Sequence, residues 1–428
     1  MAVHRNSVAS VAFCGGGSGG HLVPAIAVAR SLLQRPSLRE VSFVISGRAI
    51  DRTILTSAGM GSSANCRIMD TRLLTSSSRI RYVLRCLIAL ASCLKTFRRT
   101  RPDVVLGLGG FASLPGVTAA LLLRIPVVLL EPNVRPGRAN RWFQKWARMT
   151  CFGFQPEESV ARVWKKPWQV TGVPTTVHGV SKACFALGRF PEENSATEAE
   201  SPNIPTAATE TTLSLRLLIL GGSLGAVSLN DLVTTAFRQQ PSLLSQIGEL
   251  IHQTGATDFD RVVEIYAGMS SAVSEGLPAD GKPYPVDDGS VQRSKNVDLQ
   301  TAATQTQVCV RSFLSDMSQQ LSQADLVICR AGAVTLAELA LFGKPAVILP
   351  LPNSADQHQM LNARRFAESA ACRLVDQSSP NAVETLQKEL ALLISNPASR
   401  QQLAAGIRTF AQLNAAERVA EVLLAEQR

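Results

Sequence analysis

Near-continuous apolar runs recur along the chain, each closed by glycine or polar residues and followed by apolar positions at helical spacing. Residues 8–14 (VASVAFC) read as a strand that runs into glycines. Residues 21–34 then place Val23, Ile26, Ala27, Leu32 and Leu33 near helical spacing, with Pro24 in the first turn, where its missing N–H costs nothing. Strands follow at 41–46 (VSFVIS), 103–108 (DVVLGL) and 126–130 (PVVLL). Unbroken apolar strands suit a parallel sheet covered on both faces, so the alternation predicts a doubly wound α/β fold. The pattern restarts at 213–220 (LSLRLLIL), runs into Gly221, Gly222, Ser223, Leu224 and Gly225, and continues helically through Leu229, Leu232 and Val233. Further strands are expected at 308–310, 325–329 and 345–349. The expectation is two similar Rossmann-like units, 1–174 and 175–407, with a C-terminal helix over about 408–428 crossing back onto the first. Two polar stretches, about 191–212 and 276–307, read as inserted mobile loops, because neither offers enough apolar surface to offset its ordering entropy.

Composition narrows the class. Of 428 residues, 46% are hydrophobic and 18% charged, which excludes wholesale disorder. No uncharged apolar run approaches the roughly 18 residues of a transmembrane helix. Residues 1–6 do not have the pattern of a signal peptide, since glycines rather than a cleavage site follow the short apolar run. Nine cysteines form no CxxC pair, which disfavours zinc frameworks and disulfide scaffolds and suits a reducing cytosol. The net charge of +10 is uneven: residues 1–174 carry +17 and residues 175–428 carry −7. A basic half suits nucleic acid, phosphorylated substrates or an anionic lipid surface.

The glycine turns carry the candidate chemistry. Gly15-Gly16-Gly17-Ser18-Gly19-Gly20-His21 lies between strand and helix, where glycines let backbone approach a ligand and the helix aims free N–H groups at it. Gly15, Gly17 and Gly20 match GxGxxG only weakly, and no carboxylate closes the second strand before Asp51, so a dinucleotide site loses weight. No GKS or GKT supports a P-loop. His21 reads either as a polar residue at a helix start or as a general base, kept neutral by the helix N-terminus. Gly107-Leu108-Gly109-Gly110-Phe111-Ala112-Ser113 and Ala331-Gly332-Ala333-Val334-Thr335 repeat the strand–turn–helix arrangement. Several such turns from two units suggest one cleft for a phosphate-bearing ligand. Glu338 reads as dipole compensation or as an acceptor for ribose hydroxyls. Asp356, His358, Gln359 and Asn362 read as a solvated loop or as a reader of sugar hydroxyls.

Residues 79–101 (RIRYVLRCLIALASCLKTFRRTR) hold seven basic residues around an uncharged run of only nine. That is too short to span a bilayer. The stretch reads as a core helix with basic ends, or as a helix lying on an anionic membrane with Leu87 and Ile88 down and Arg79, Arg81 and Arg85 at the headgroups. Nucleic acid fits less well, because no recognition motif is present and aromatics are only 5%.

Taken in order, GGGSGGH, GLGGFAS, VVLLEPN, GGSLGA, FLSDM, CRAGAVTLAE and DQHQ followed by NA resemble the MurG family of bacterial UDP-N-acetylglucosamine transferases. The likeness covers most of the chain apart from the polar stretches. It implies a GT-B fold, two Rossmann-like doubly wound domains facing an interdomain cleft, and an inverting, metal-independent transfer of GlcNAc from UDP-GlcNAc to the 4-hydroxyl of lipid-linked MurNAc-pentapeptide. It implies no cofactor and no metal ligand. His21 and Glu131 would be catalytic, with Ser18, Gly19, Gly20, Asn133 and Asn140 on the acceptor side. Ser223, Asn230, Arg330, Gly332, Ala333, Val334, Thr335 and Glu338 would hold the nucleotide, with Phe313 and Leu314 near the uracil. His358, Gln359 and Asn362 would hold the GlcNAc hydroxyls. The implied partners are the lipid-linked acceptor, the anionic cytoplasmic face of the inner membrane, bound peripherally, and cell-wall synthesis proteins. Departures from the family pattern are Ser18 for Thr, Phe111 for Tyr, Leu224 for Gln, and Thr176 where an Arg usually reaches the nucleotide. A related GT-B transferase with another acceptor, or a non-catalytic nucleotide-sugar-binding membrane protein, are the competing readings.

Overall fold

The computed structural model describes residues 9–17, 19–62, 64–71, 79–177, 215–222, 225–269, 272–274, 283–285, 291–293, 295–300, 306–352 and 354–427. Seven strands form the first sheet: β1 (Ala9–Cys14), β2 (Leu38–Ile45), β3 (Cys66–Asp70), β4 (Val104–Gly107), β5 (Val127–Glu131), β6 (Met149–Phe152) and β7 (Trp168–Val170). They lie in the order 3-2-1-4-5-6-7 and every neighbouring pair is parallel. β1 is buried along its whole length, as a strand with helices on both faces must be. The order reverses between β1 and β4. Chains leaving those two strands at their carboxyl ends therefore diverge and open a crevice.

The second sheet repeats this logic with β8 (Leu215–Leu220), β9 (Ile247–Gln253), β10 (Ala272–Ser274), β13 (Asn296–Gln300), β14 (Gln307–Arg311), β15 (Leu326–Cys329), β16 (Ala346–Ile348) and β17 (Arg373–Leu374). Its order is 10-13-14-9-8-15-16-17, so the reversal falls between β8 and β15. A separate hairpin pairs β11 (Pro283–Pro285) with β12 (Val291–Arg293).

The polar stretch at 276–307 thus differs from a plain loop. β13 pairs antiparallel with β14, and β10 with β13. Backbone pairing with the otherwise open edge of β14 orders β13, and its Leu299 is fully buried in the second lobe's core. Residues 191–212, 276–282, 286–290, 294 and 301–305 lie outside the described residues.

Two further features join the lobes. The Ala415–Ala425 helix buries Val419, Ala420 and Leu423 in the first lobe's core beside Leu22, Ile26 and Ala29. The two chain crossings run side by side. Gly172 has φ +89°, and a Cβ there would sit 2.4 Å from Cβ of Gln412. Phe154 of the first lobe meets Phe366 of the second edge-on at 5.3 Å, and Phe366 stacks on Phe410 at 4.0 Å.

Because Leu423 is fully buried against first-lobe residues, Leu423→Ala should lower stability by about 2–5 kcal/mol. Chemical denaturation monitored in both lobes should show the loss in the first lobe's transition.

Candidate functional site

Four turns leave the two sheets at their points of reversal. In the first lobe, β1 ends in glycines and the Gly19–Leu33 helix begins two residues before His21. The loop is held by Asp51, a fully buried acid that accepts from the Gly17 N–H at 2.7 Å and from the Ser46 hydroxyl at 2.5 Å. The carboxylate that follows the second strand is therefore spent on the loop itself. Ser18 lies outside the described residues. The turn after β4 closes the site from the other side. Gly110 has φ +66°, and a Cβ there would lie 3.1 Å from Nε2 of His21. That turn must be glycine for the imidazole to lie against it.

His21 is half-buried, and its Nδ1 is buried without a hydrogen bond of normal geometry. Burial pulls the imidazole below the usual histidine value of 6.5. The nearby charges of Glu131 and Asp51 and the Leu108 backbone work in the opposite direction and are outweighed. His358, which opens a helix of the second lobe, adds to the lowering. The ring is thus a neutral base at pH 7.

Glu131 closes β5 and is 2% exposed. It accepts from four donors: the Asn133 N–H and side-chain amide (both 3.1 Å), the Gly137 N–H (2.8 Å) and the Asn140 amide (3.0 Å). Its oxygens shape the 131–140 loop, and it acts on His21 by charge across space rather than through any of these bonds. Asn140 also donates to the Leu130 carbonyl, leaving its own Oδ1 buried and unpaired.

In the second lobe, the turns after β8 and β15 border a cavity of about 470 Å³ between Gly221, Gly225, Ser228, Arg330, Leu351 and Gln359. Ser223 lies outside the described residues. Arg330 donates to the Leu349 carbonyl (3.0 Å) and to the Ser228 hydroxyl (2.7 Å). Burial lowers it to about 10, so it stays charged at neutral pH. The Ala333–Phe342 helix opens at Gly332 with no side-chain cap, leaving the amides of Ala333, Val334 and Thr335 without intrahelical acceptors. Unbonded amides and the positive end of the helix dipole favour negative charge at this position. Glu338, one turn on, is pushed up to about 8 by burial. At neutral pH it is largely a carboxylic acid, able both to donate to and to accept from a diol.

The other sequence-derived residues fall in three groups. Gln359 lines the cavity and accepts from the Leu351 N–H at 3.0 Å. His358 lies within electrostatic reach of His21, with its Nδ1 buried and unpaired. Asn362 ties the lobes together: its Oδ1 accepts from the Val134 N–H (3.0 Å), and its amide donates to Asn133 Oδ1 (3.0 Å) and the Ala331 carbonyl (3.2 Å). Asn230 is fully buried and turned into the second lobe, bonded to the Thr254 carbonyl, Asp258 and His252. Phe313 (half-buried) and Leu314 (buried) follow β14, and Thr176 is half-buried on the connection between the lobes. The two halves meet: the Gly19–Leu33 and Ala333–Phe342 helices touch across the cleft.

The Arg79–Thr100 helix buries Ala89, Cys93 and Phe97, and its other side exposes Val83, Leu84, Leu87 and Ile88, each more than half exposed. Arg85 sits beside them, half-buried, whereas the side chains of Arg79 and Arg81 lie outside the described residues. Trp142 and Trp146, each 51% exposed, belong to the segment that packs Phe143 and Ala147 into the same core layer as Cys93 and Phe97. Among the described residues no helix is long and apolar enough to cross a membrane, and no group of three or more His, Cys, Asp or Glu is placed to hold a metal ion. Sequence reasoning missed Trp142 and Trp146, and also Arg138 and Arg141, which grip Asp356 from across the cleft.

Comparison with known proteins converges on one family. The model of the glycosyltransferase family 28 N-terminal domain matches residues 11–151, and that of its C-terminal domain matches 288–420. The UDP-N-acetylglucosamine–N-acetylmuramyl-(pentapeptide) pyrophosphoryl-undecaprenol N-acetylglucosamine transferase of Syntrophotalea carbinolica is 31% identical over 411 residues, 95% of this chain and 96% of its own length. Its counterpart from Alkalilimnicola ehrlichii is 32% identical over 417 residues, 96% of this chain and 98% of its own. The crystal structure of Acinetobacter baumannii MurG superposes with a TM-score of 0.67 at 26% identity, covering 97% of this chain and 99% of that one. The two facing sheets are a GT-B fold.

NMR titration of the histidine rings should find the His21 midpoint below 6.5. His252, fully buried between Tyr266 and Asn230 and pushed down to about 3, should stay neutral throughout the range over which exposed histidines titrate.

Proposed function

The chain belongs to glycosyltransferase family 28, and we propose that it does what the MurG members of that family do: it transfers GlcNAc from UDP-GlcNAc to lipid-linked MurNAc-pentapeptide, with inversion at the anomeric carbon. The observation that carries this reading is the meeting of the two sheet reversals. A neutral His21 lies on one side and the uncapped start of the Ala333–Phe342 helix on the other, and the two helices that carry them touch.

UDP-GlcNAc occupies the second lobe. Its diphosphate lies against the amides of Ala333, Val334 and Thr335 and beside Arg330, whose positive ends stabilise the charge that develops as UDP departs. Glu338 takes the ribose hydroxyls, and Gln359 and His358 take those of the sugar. The acceptor enters from the first lobe. His21 removes the proton from its 4-hydroxyl as that oxygen attacks the anomeric carbon and the bond to the diphosphate breaks. Gly19 and Gly20 give the acceptor close access, and Glu131, through Asn133, Gly137 and Asn140, holds the loop that faces it. Lobe closure aligns the reactants and excludes water, which limits donor hydrolysis.

The protein docks peripherally on the cytoplasmic face of the inner membrane, where its acceptor resides and where cell-wall synthesis proteins would be its neighbours. The apolar face of the Arg79–Thr100 helix enters the interface, the Trp142 and Trp146 rings sit at headgroup level, and the excess positive charge of the first lobe attracts anionic lipid.

The direct test supplies the purified protein with UDP-GlcNAc and the lipid-linked acceptor. UDP release that requires this acceptor is the expected result. Release with a different lipid, or UDP binding without turnover, would reassign the protein. His21→Ala should reduce kcat by about 10²–10⁴-fold while leaving UDP affinity near normal. Near-normal turnover in that variant would remove the base assignment. In vesicle flotation, Leu87→Glu with Ile88→Glu should lose binding to anionic vesicles, and Trp142→Ser with Trp146→Ser should weaken it. Unchanged flotation in both would contradict this docking face.

A further inference from the structure

The turn that precedes the His358–Glu368 helix is strained. Asp356 and Gln357 adopt φ +50° and +57°, two successive left-handed residues with no glycine between them. Such a conformation persists only where the surroundings over-determine it. Here the surroundings belong to the other lobe. Asp356 Oδ1 accepts from Arg138 Nε (3.1 Å) and pairs with its Nη2 at 3.0 Å, and Oδ2 accepts from Arg141 Nη2 (3.2 Å). Arg138 and Arg141 lie three apart on the short Arg138–Phe143 helix, whose start is fixed by Glu131 through the Gly137 N–H. Two residues past Asp356 is His358, within electrostatic reach of His21. One helical turn further, Asn362 bonds Asn133 and Val134. The turn therefore has two footholds on the first lobe, and His358 lies between them.

We propose that Asp356 is a positioning residue: clamped by Arg138 and Arg141, it holds the 354–359 turn on the first lobe so that His358 faces His21 and the two lobes close in reacting register. The inference rests on the transferase reading and adds to it the element that sets lobe orientation. The clamp is well placed for this. Arg138 is largely exposed, so solvent screens the pair and its effect on overall stability is small. Lobe orientation is a balance between states of similar free energy, and a modest bias there changes the reactive population directly.

Asp356→Asn keeps a residue that tolerates the left-handed turn and removes only the charge. It should lower kcat for transfer by about tenfold, whereas UDP affinity, set at the Arg330 cavity, should change by less than about twofold. Arg138→Gln with Arg141→Gln should give a similar loss. Combining all three substitutions should cost no more than Asp356→Asn alone, because residues acting through one contact are not additive. Raising the salt concentration should slow the wild type, assayed with a detergent-soluble acceptor, and leave Asp356→Asn unchanged. An activity-independent readout is the distance between spin labels on the two lobes of the UDP-bound protein. That distribution should be narrow in the wild type and broader in Asp356→Asn. Identical distributions, or wild-type kcat in a folded Asp356→Asn protein, would overturn the clamp. A wild type that closes normally but transfers nothing to the lipid-linked acceptor would instead overturn the transferase reading and leave the distance result to judge the clamp.

Discussion

The structure depends on a geometric constraint of parallel sheets. When strand order reverses, the chains leaving the two central strands go to opposite faces and expose the starts of their helices in a shared crevice. Here the reversal occurs twice, between β1 and β4 and between β8 and β15. The helices that follow β1 and β15 touch across the gap. Helix starts carry unbonded amides and the positive end of the dipole. A gap bordered by such starts is suited to a diphosphate on one side and to an uncharged base on the other.

The ionisable groups fit that field. His21, at a helix start and half-buried, is held neutral, while Glu338, deep in the second lobe, is pushed up to about 8 and carries little charge at pH 7. The buried acids nearest the first-lobe turns, Asp51 and Glu131, are occupied by backbone and amide donors. They build the loops, and Asp231, a carboxylate that lines the second-lobe cavity, is paired with Arg261 at 2.7 Å. Arg330 supplies fixed positive charge next to the cavity. The proposed transfer therefore draws its electrostatics from backbone orientation more than from a cluster of charged side chains.

Much of this was legible in the sequence because parallel strands are recorded as unbroken apolar runs, and glycines mark the turns that leave them. The strands at 41–46 and 325–329 and the turns at 107–110 and 331–335 are local patterns. The strand at 296–300 was not legible: it is polar along most of its length, and its order comes from pairing with the edge of β14. Sequence also gave no sign that Asn230 would be consumed by His252 and Asp258, or that Asn362 would bridge the lobes, since both partners are distant in the chain. Arg138 and Arg141 looked like part of a general basic surplus. Only the placement of Asp356 opposite them gives those charges a specific partner.

The central claim is that helix-start amides at the second-lobe reversal receive the diphosphate. Amide hydrogen exchange measured with and without UDP tests it most directly. The account predicts slowed exchange in the segments 221–226 and 332–336, with little change in the first lobe's outer helices. Protection confined to other segments, with those two unaltered at saturating UDP, would contradict it.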